Sequence, residues 1–307
     1  MDTLLQQLIN GLTLGAVYAL VALGYTMVYG IIGLINFAHG EVVMIGTMVA
    51  FTVIVSLAGS GMPPLLILGF GLLVSVLVCM ALGWSLERVA YRPLRGAPRL
   101  TPLITAIGMS IVLQNVAMII WGRNYITFPP MIEKHIYAFG GATFTNVQVA
   151  IVSLAALVML GLIYLVHRTR IGMAMRATAQ QPQVAMLMGV DINRVIAMAF
   201  VIGSALGAVA GCMVGSYYEI AHYQMGFMLG LKAFTAAVLG GIGNLAGAMA
   251  GGLLLGVIEA LGAGYIGQLT GDFLGSHYQD IFAFIVLIVV LMFRPSGLFG
   301  EREGDRA

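Results

Sequence analysis

Asn36, His39, Gly40 and Glu41 make up the most chemically loaded stretch of the chain, set between the long apolar runs 12–34 and 42–57. A carboxyl and an imidazole two residues apart are able to pass protons, fix a helix start or bond free backbone. An ionisable residue at membrane depth costs at least about 2.5–3.5 kcal/mol on insertion scales, so such groups face a bundle interior, a partner or water. Asn36 and Gly40 suit irregular backbone, which a membrane tolerates only where protein or a wet cavity covers it. Two readings stand. In one, the stretch is a cytoplasmic turn, with Asn36 closing one helix and Glu41 opening the next, where a carboxylate is electrostatically favoured. In the other, it is a helix break at membrane depth. Glu41 then fixes the start of a helix and His39 bonds backbone freed by the break, with a proton relay as the alternative.

The second loaded stretch runs from His167 to Thr178 and holds Arg168, Arg170, Ile171, Gly172, Met173, Ala174, Arg176 and Ala177. Ala and Met favour helix, and Pro182 bounds it. A short helix in a loop makes a compact lever for a partner. The competing reading is an interfacial helix whose arginines meet anionic lipid, although aromatic anchors are missing. Among the other polar residues in apolar runs, Gln114 and Asn115 suggest a hydrogen bond between helices, worth about 0.6 kcal/mol. Lys232 and Glu259 are costlier and are expected to neutralise each other or Glu41.

Other chemistries find no support. A phosphate-cradling loop needs Gly-Lys followed by Ser or Thr, but the two lysines, Lys134 and Lys232, follow Glu133 and Leu231. The five histidines are scattered, and no metal-ligand spacing or nucleophile elbow occurs. No catalytic residues, metal or cofactor are expected, nor a nucleic-acid partner. Cys79 and Cys212 lie inside apolar runs and read as small buried hydrophobes.

The elements that position these residues are membrane helices. The chain is 60% hydrophobic and 8% charged with mean hydropathy +1.01, against about 25% charged in soluble domains. This composition predicts an all-α, polytopic membrane helix bundle, one domain over 1–307. The spans read as 4–29, 41–57, 64–86, 103–121, 147–166, 195–217, 231–242, 246–265 and 278–293. Residues 231–242 fall short of the roughly 20 residues a crossing needs. About eight crossings are therefore expected, or up to ten with broken helices counted separately. The first helix reads as retained rather than as a cleaved signal.

Basic loops orient the bundle. Residues 87–99 hold Arg88, Arg92, Arg95 and Arg99 against Glu87, and 167–194 hold Arg168, Arg170, Arg176 and Arg194 against Asp191. Both belong in the cytoplasm, with 123–146 outside and, by counting back, Met1 outside. Gly203, Gly207, Gly211 and Gly215 recur every fourth residue, as do Gly243, Gly247 and Gly251. Such ridges let helix backbones approach closely, within the chain or at a subunit interface. A loose echo relates 11–41 to 203–232: glycine-rich helix, tyrosine-bearing end, irregular stretch, charged residue. It suggests a duplicated architecture.

The stretch Gly24-Tyr25-Thr26-Met27-Val28-Tyr29-Gly30-Ile31-Ile32-Gly33, running into Asn36–Glu41 and Val42-Val43-Met44-Ile45-Gly46, resembles the LivH-type permeases of bacterial branched-chain amino-acid ABC importers. The likeness continues through 84–93 and 106–110 and resumes at Lys232-Ala233-Phe234-Thr235-Ala236-Ala237-Val238-Leu239-Gly240-Gly241-Ile242-Gly243. It covers nearly the whole chain, apart from the loop 123–146. The resemblance implies a type II importer permease in the bacterial inner membrane that forms a translocation path for leucine, isoleucine and valine. Asn36, His39, Gly40 and Glu41 would lie near that path. It implies a second homologous permease, two cytoplasmic ATPases that bind the ATP, and a periplasmic amino-acid-binding protein. Arg170–Ala177 resembles the segment that couples to an ATPase, although the family more often has a basic residue where Met173 stands. Substrate would cross through a weakly binding cleft. A urea or amide importer and an ion-coupled carrier are the alternatives.

Overall fold

The computed structural model describes residues 2–98, 100–270 and 279–300. Expectations that rest on Met1, Arg99, His277 or Tyr278 fall outside these. Eleven α-helices follow in order: α1 (Asp2–Ile32), α2 (His39–Leu57), α3 (Pro64–Leu86), α4 (Leu100–Trp121), α5 (Asn146–Arg168), α6 (Arg170–Gln180), α7 (Pro182–Leu187), α8 (Ile192–Tyr218), α9 (Met225–Gly240), α10 (Leu245–Thr270) and α11 (Gln279–Phe293). Seven of the described helices are long and apolar enough to cross a membrane, while α9 and the apolar part of α11 are shorter. The chain is thus a polytopic helical membrane protein. Helix α3 runs on through a π-helical turn (Glu87–Tyr91) and a 3-10 turn (Arg92–Leu94). Among the described residues there are two small ladders: β2 (Ile136–Phe139) with β3 (Ala142–Thr145), and β1 (Ile126–Thr127) with β4 (Ile220–Ala221), both antiparallel.

The apolar sequence segregates by packing. Helices α3, α4 and α5 turn large side chains such as Leu65, Phe70, Leu73, Ile104, Ile119 and Leu157 outward, as lipid-facing helices do. Helices α1 and α8 form the centre, with Leu20, Leu23, Ala199 and Ala210 fully or almost fully buried. The basic loops share one end of the bundle, where Arg95 donates to Asn193 Oδ1. The β2–β3 hairpin marks the other, where Gln6 Nε2 donates to the Thr143 carbonyl at 2.9 Å. Helix α1 therefore starts at the hairpin end and α8 at the basic end, in keeping with the parity counted from the loops.

The packing follows an inverted plan. Helix α1 lies along α10 and α3 along α8; α2 lies between α3 and α8, and α9 between α10 and α1; α4 flanks α2 as α11 flanks α9. The unit α1–α4 thus reappears upside down as α8–α11, with α5–α7 inserted between. Inverted repeats of this kind occur in many transporters.

Small residues make the plan possible. Gly11 and Gly15 of α1 face Val257 and Leu253 of α10, and a methyl on Gly252 would overlap the Ala19 backbone. The 203–215 ridge also packs within the chain: Gly203 faces Gly24, Gly207 faces Val43 and His39, Gly211 faces Val43 and Thr47, and Gly215 faces the buried Phe128 ring. Gly252→Leu should destabilise the fold by about 3 kcal/mol, the upper end for overpacking. Gly69→Ala, at a site with open space, should be neutral or stabilising by up to about 1 kcal/mol. Thermal melts of the detergent-solubilised protein would compare the two.

Candidate functional site

Helix α1 ends at Ile32, and Gly33 takes φ +64°, a left-handed turn that favours glycine. The chain then doubles back into the bundle before α2 begins. The His39 ring lies against Gly24, eight residues before the end of α1, or about 12 Å at the helical rise. Cys79 Sγ contacts the Val42 carbonyl at 3.5 Å, seven residues before the end of α3, or about 10 Å. Helix α2 therefore starts deep among longer neighbours. The plain cytoplasmic turn does not describe this geometry, since Asn36 is 3% exposed, His39 2% and Glu41 0%.

The second arm mirrors the first. Helix α8 ends at Tyr218, and Glu219 adopts the left-handed region at φ 55°. The chain returns through β4, and α9 starts with Gly226 packed on Gly40. Gly207, which faces His39, lies eleven residues before the end of α8, about 16 Å at the helical rise. Helices α2 and α9 thus meet N-terminus to N-terminus inside the bundle.

Each polar residue at this junction has a definite place. Asn36 Oδ1 accepts from the Ala38 amide at 3.1 Å and from Tyr91 Oη at 2.8 Å. It serves the freed backbone, the job sequence reasoning gave to His39. His39 instead packs between Gly24 and the edge of Tyr25, ring centroids 4.9 Å apart. Glu41 Oε1 accepts from Gln114 Nε2 at 2.7 Å and Ser110 Oγ at 3.0 Å, both on α4. The polar Gln114 was the sequence signal for this link; Ser110 was missed, because a serine in a membrane helix is common. Asn115 bonds only to its own helix, at the Ile111 carbonyl.

Lys232 pairs with Glu259 at 2.7 Å and Asp280 at 2.8 Å rather than with Glu41. Its α9–α10–α11 cluster is the inverted counterpart of the α2–α4 link. Asp280 as third member was not foreseen, since α11 reaches it only through the tertiary fold. Among the described residues no group of three or more His, Cys, Asp or Glu could hold a metal.

A polar chain joins this junction to the basic end. Arg95, bonded to Asn193 at the start of α8, also pairs with Glu87, which is buried at the head of the π-helical turn. That turn carries Tyr91, the donor to Asn36. The 167–194 loop lies beside it as α6 and α7. Thr169 Oγ1 caps α6 by accepting from the Gly172 amide at 3.1 Å. Gly172 is buried, and any side chain there would overlap the Leu165 and Val166 carbonyls. Arg168, Arg170, Ile171 and Arg176 face outward, while Ala174 and Ala177 are half-buried. Met173 of α6 and Val184, Met186, Leu187 and Met188 of α7 and its end are exposed apolar side chains. Sequence reasoning drew the coupling loop over about 167–194 but named no residue beyond Ala177 in it, although 184–188 is an apolar run.

The family model for the branched-chain amino acid transport system permease component matches residues 7–291. The high-affinity branched-chain amino acid permease protein BraD of Pseudomonas aeruginosa is 49% identical, with 98% of this chain and 97% of that protein covered. The corresponding LivH of Escherichia coli is 46% identical over the same shares. The xylose/arabinose import permease XylH of Sulfolobus acidocaldarius is 32% identical over 59% of this chain and 44% of its own length. The chain belongs to the branched-chain amino acid transport permease family.

Glu41→Leu strands the Ser110 and Gln114 donors and should cost about 1–3 kcal/mol per unsatisfied buried group, read as lost folded protein after detergent extraction. Glu41→Gln keeps a carbonyl acceptor and should still fold. Tyr91→Phe should lower stability by about 1 kcal/mol in the same assay.

Proposed function

We propose that this chain is a permease subunit of an ATP-driven importer for leucine, isoleucine and valine in the bacterial inner membrane. The observation that carries the reading is near-full-length identity of 46–49% to permeases named for that transport. In this reading residues 1–307 form one permease domain, paired with a second homologous permease, and it is not an enzyme. Two cytoplasmic ATPases bind the ATP, so the chain needs no cofactor. A periplasmic amino-acid-binding protein delivers substrate, and the bilayer covers the outward faces of α3, α4 and α5.

The α6–α7 loop is the coupling element. Arg168, Arg170, Ile171 and Arg176, with the exposed Met173, Val184, Met186, Leu187 and Met188, meet the ATPase. Gly172, Ala174 and Ala177 serve by letting α6 fold tightly against α5. Asn36, His39, Gly40 and Glu41 form the break beside the translocation path, and the chain Arg95–Glu87–Tyr91–Asn36 links that break to the coupling end.

The test is co-purification with the ATPases and second permease, then leucine uptake in proteoliposomes. Uptake should require ATP on the ATPase side; uptake by this subunit alone under a proton gradient would reject the reading. Met173→Glu places a charge at an exposed apolar position and leaves the buried face of α6 intact. It should lower ATPase co-purification about tenfold, a loss of about 1.4 kcal/mol. Gly172 substitutions are poor probes, because they break the α5–α6 corner first.

A further inference from the structure

The junction between α2 and α9 is built largely from glycines and backbone. Gly40 and Gly226 approach so closely that a methyl on either would overlap the other's strand of backbone, and Gly230 packs on Gly40 beside the Tyr25 hydroxyl. The first turn of neither helix has a side-chain cap: Ala38 and Gln224 make no such bond. Each helix N-terminus carries roughly half a positive charge, so two facing ends amount to about one. Glu41 supplies the opposing carboxylate.

Only one of its oxygens is engaged. Oε1 takes Ser110 and Gln114. Oε2 is buried with no hydrogen-bond partner, and stands 2.6 Å from where a Cβ on Gly226 would lie. It is aimed at the mouth of α9. An unengaged carboxylate oxygen beside the uncapped start of α9 is a pair of opposite half-sites. Together they match a molecule that carries an ammonium and a carboxylate on one carbon.

We propose that the α2–α9 junction is a transient site for the α-ammonium and α-carboxylate of the transported amino acid, opened when the two arms separate. The ammonium meets Glu41 Oε2, and the carboxylate meets the start of α9, since the first amides of α2 already donate to the Asn36 and Ala38 carbonyls. This rests on the reading of the chain as an amino-acid permease. Charge balance supports the match. In the closed junction one carboxylate faces about one positive charge of helix dipole. A zwitterion adds one charge of each sign, and each finds a partner. A carboxylate without an ammonium would confront Glu41, and an amine without a carboxylate would confront the helix ends. Once the arms part, the glycine lining exposes backbone to the groups that amino acids share and offers no pocket shaped to a side chain. The site therefore reads the amino-acid class and leaves choice among side chains elsewhere.

The experiment uses the assembled importer in proteoliposomes and a diazirine-bearing analogue of leucine that keeps both charged groups. Illumination during ATP turnover should place adducts within 36–44 and 222–230, mapped by mass spectrometry. Glu41→Gln should lose those adducts, and leucine uptake per assembled complex should fall about tenfold, one charged contact at 1.4 kcal/mol. Co-purification with the ATPases checks that the variant has folded. Wild-type uptake by Glu41→Gln, or wild-type adducts confined to other segments, overturns the site while leaving the permease reading intact. A wild-type complex that takes up no leucine with ATP overturns the permease reading itself. If Glu41→Gln fails to assemble, the wild-type adduct map alone decides.

Discussion

A helix that starts inside a membrane bundle leaves amide groups with no water to bond, and each such group costs several kcal/mol in hydrocarbon. Two helices here, α2 and α9, start that way. The surrounding structure is organised to make this possible. Asn36 caps the returning chain, longer neighbours cover the break, and Glu41 brings a carboxylate to the facing helix ends. The glycines exist in numbers because arms that meet end to end need backbone on backbone, with no side chain between.

The same constraint explains where the charges sit. A buried carboxylate is tolerated only when bonded and compensated. Glu41 has two donors from α4, and Lys232 has two carboxylates from α10 and α11. Each arm is thereby tied to the flanking helix of its own repeat. A polar tie inside an apolar bundle holds geometry by direction, which dispersion contacts between leucines do not do. The two repeats use different chemistry for the tie, so the inverted plan is a symmetry of backbone and not of sites.

The basic end is joined to this core by a short covalent and polar route. The π-helical turn after α3 widens the helix just where Glu87 meets Arg95 and Tyr91 reaches Asn36. π-Helical turns are found often at functional positions. Here the turn lies between a loop at one end of the bundle and the break at its middle. In the importer reading this is the route by which events at the ATPase reach the arms.

Long uncharged runs named the spans, because lipid demands about 20 apolar residues per crossing and tolerates few charges. Basic loops grouped 87–99 with 167–194 at one end, and Arg95 does reach Asn193. The short run near Lys232 and the polar 36–41 stretch marked both breaks. Tertiary structure decided the rest. Whether 36–41 turned in solvent or returned into the bundle depended on the lengths of α1, α3 and α8 around it. That Lys232 gains Asp280 and that Gly40 finds Gly226 are contacts between segments far apart along the chain, while Gly172 closes on Leu165 and Val166 at the α5–α6 corner. Local composition records what each segment can bury, and only packing decides against which partner.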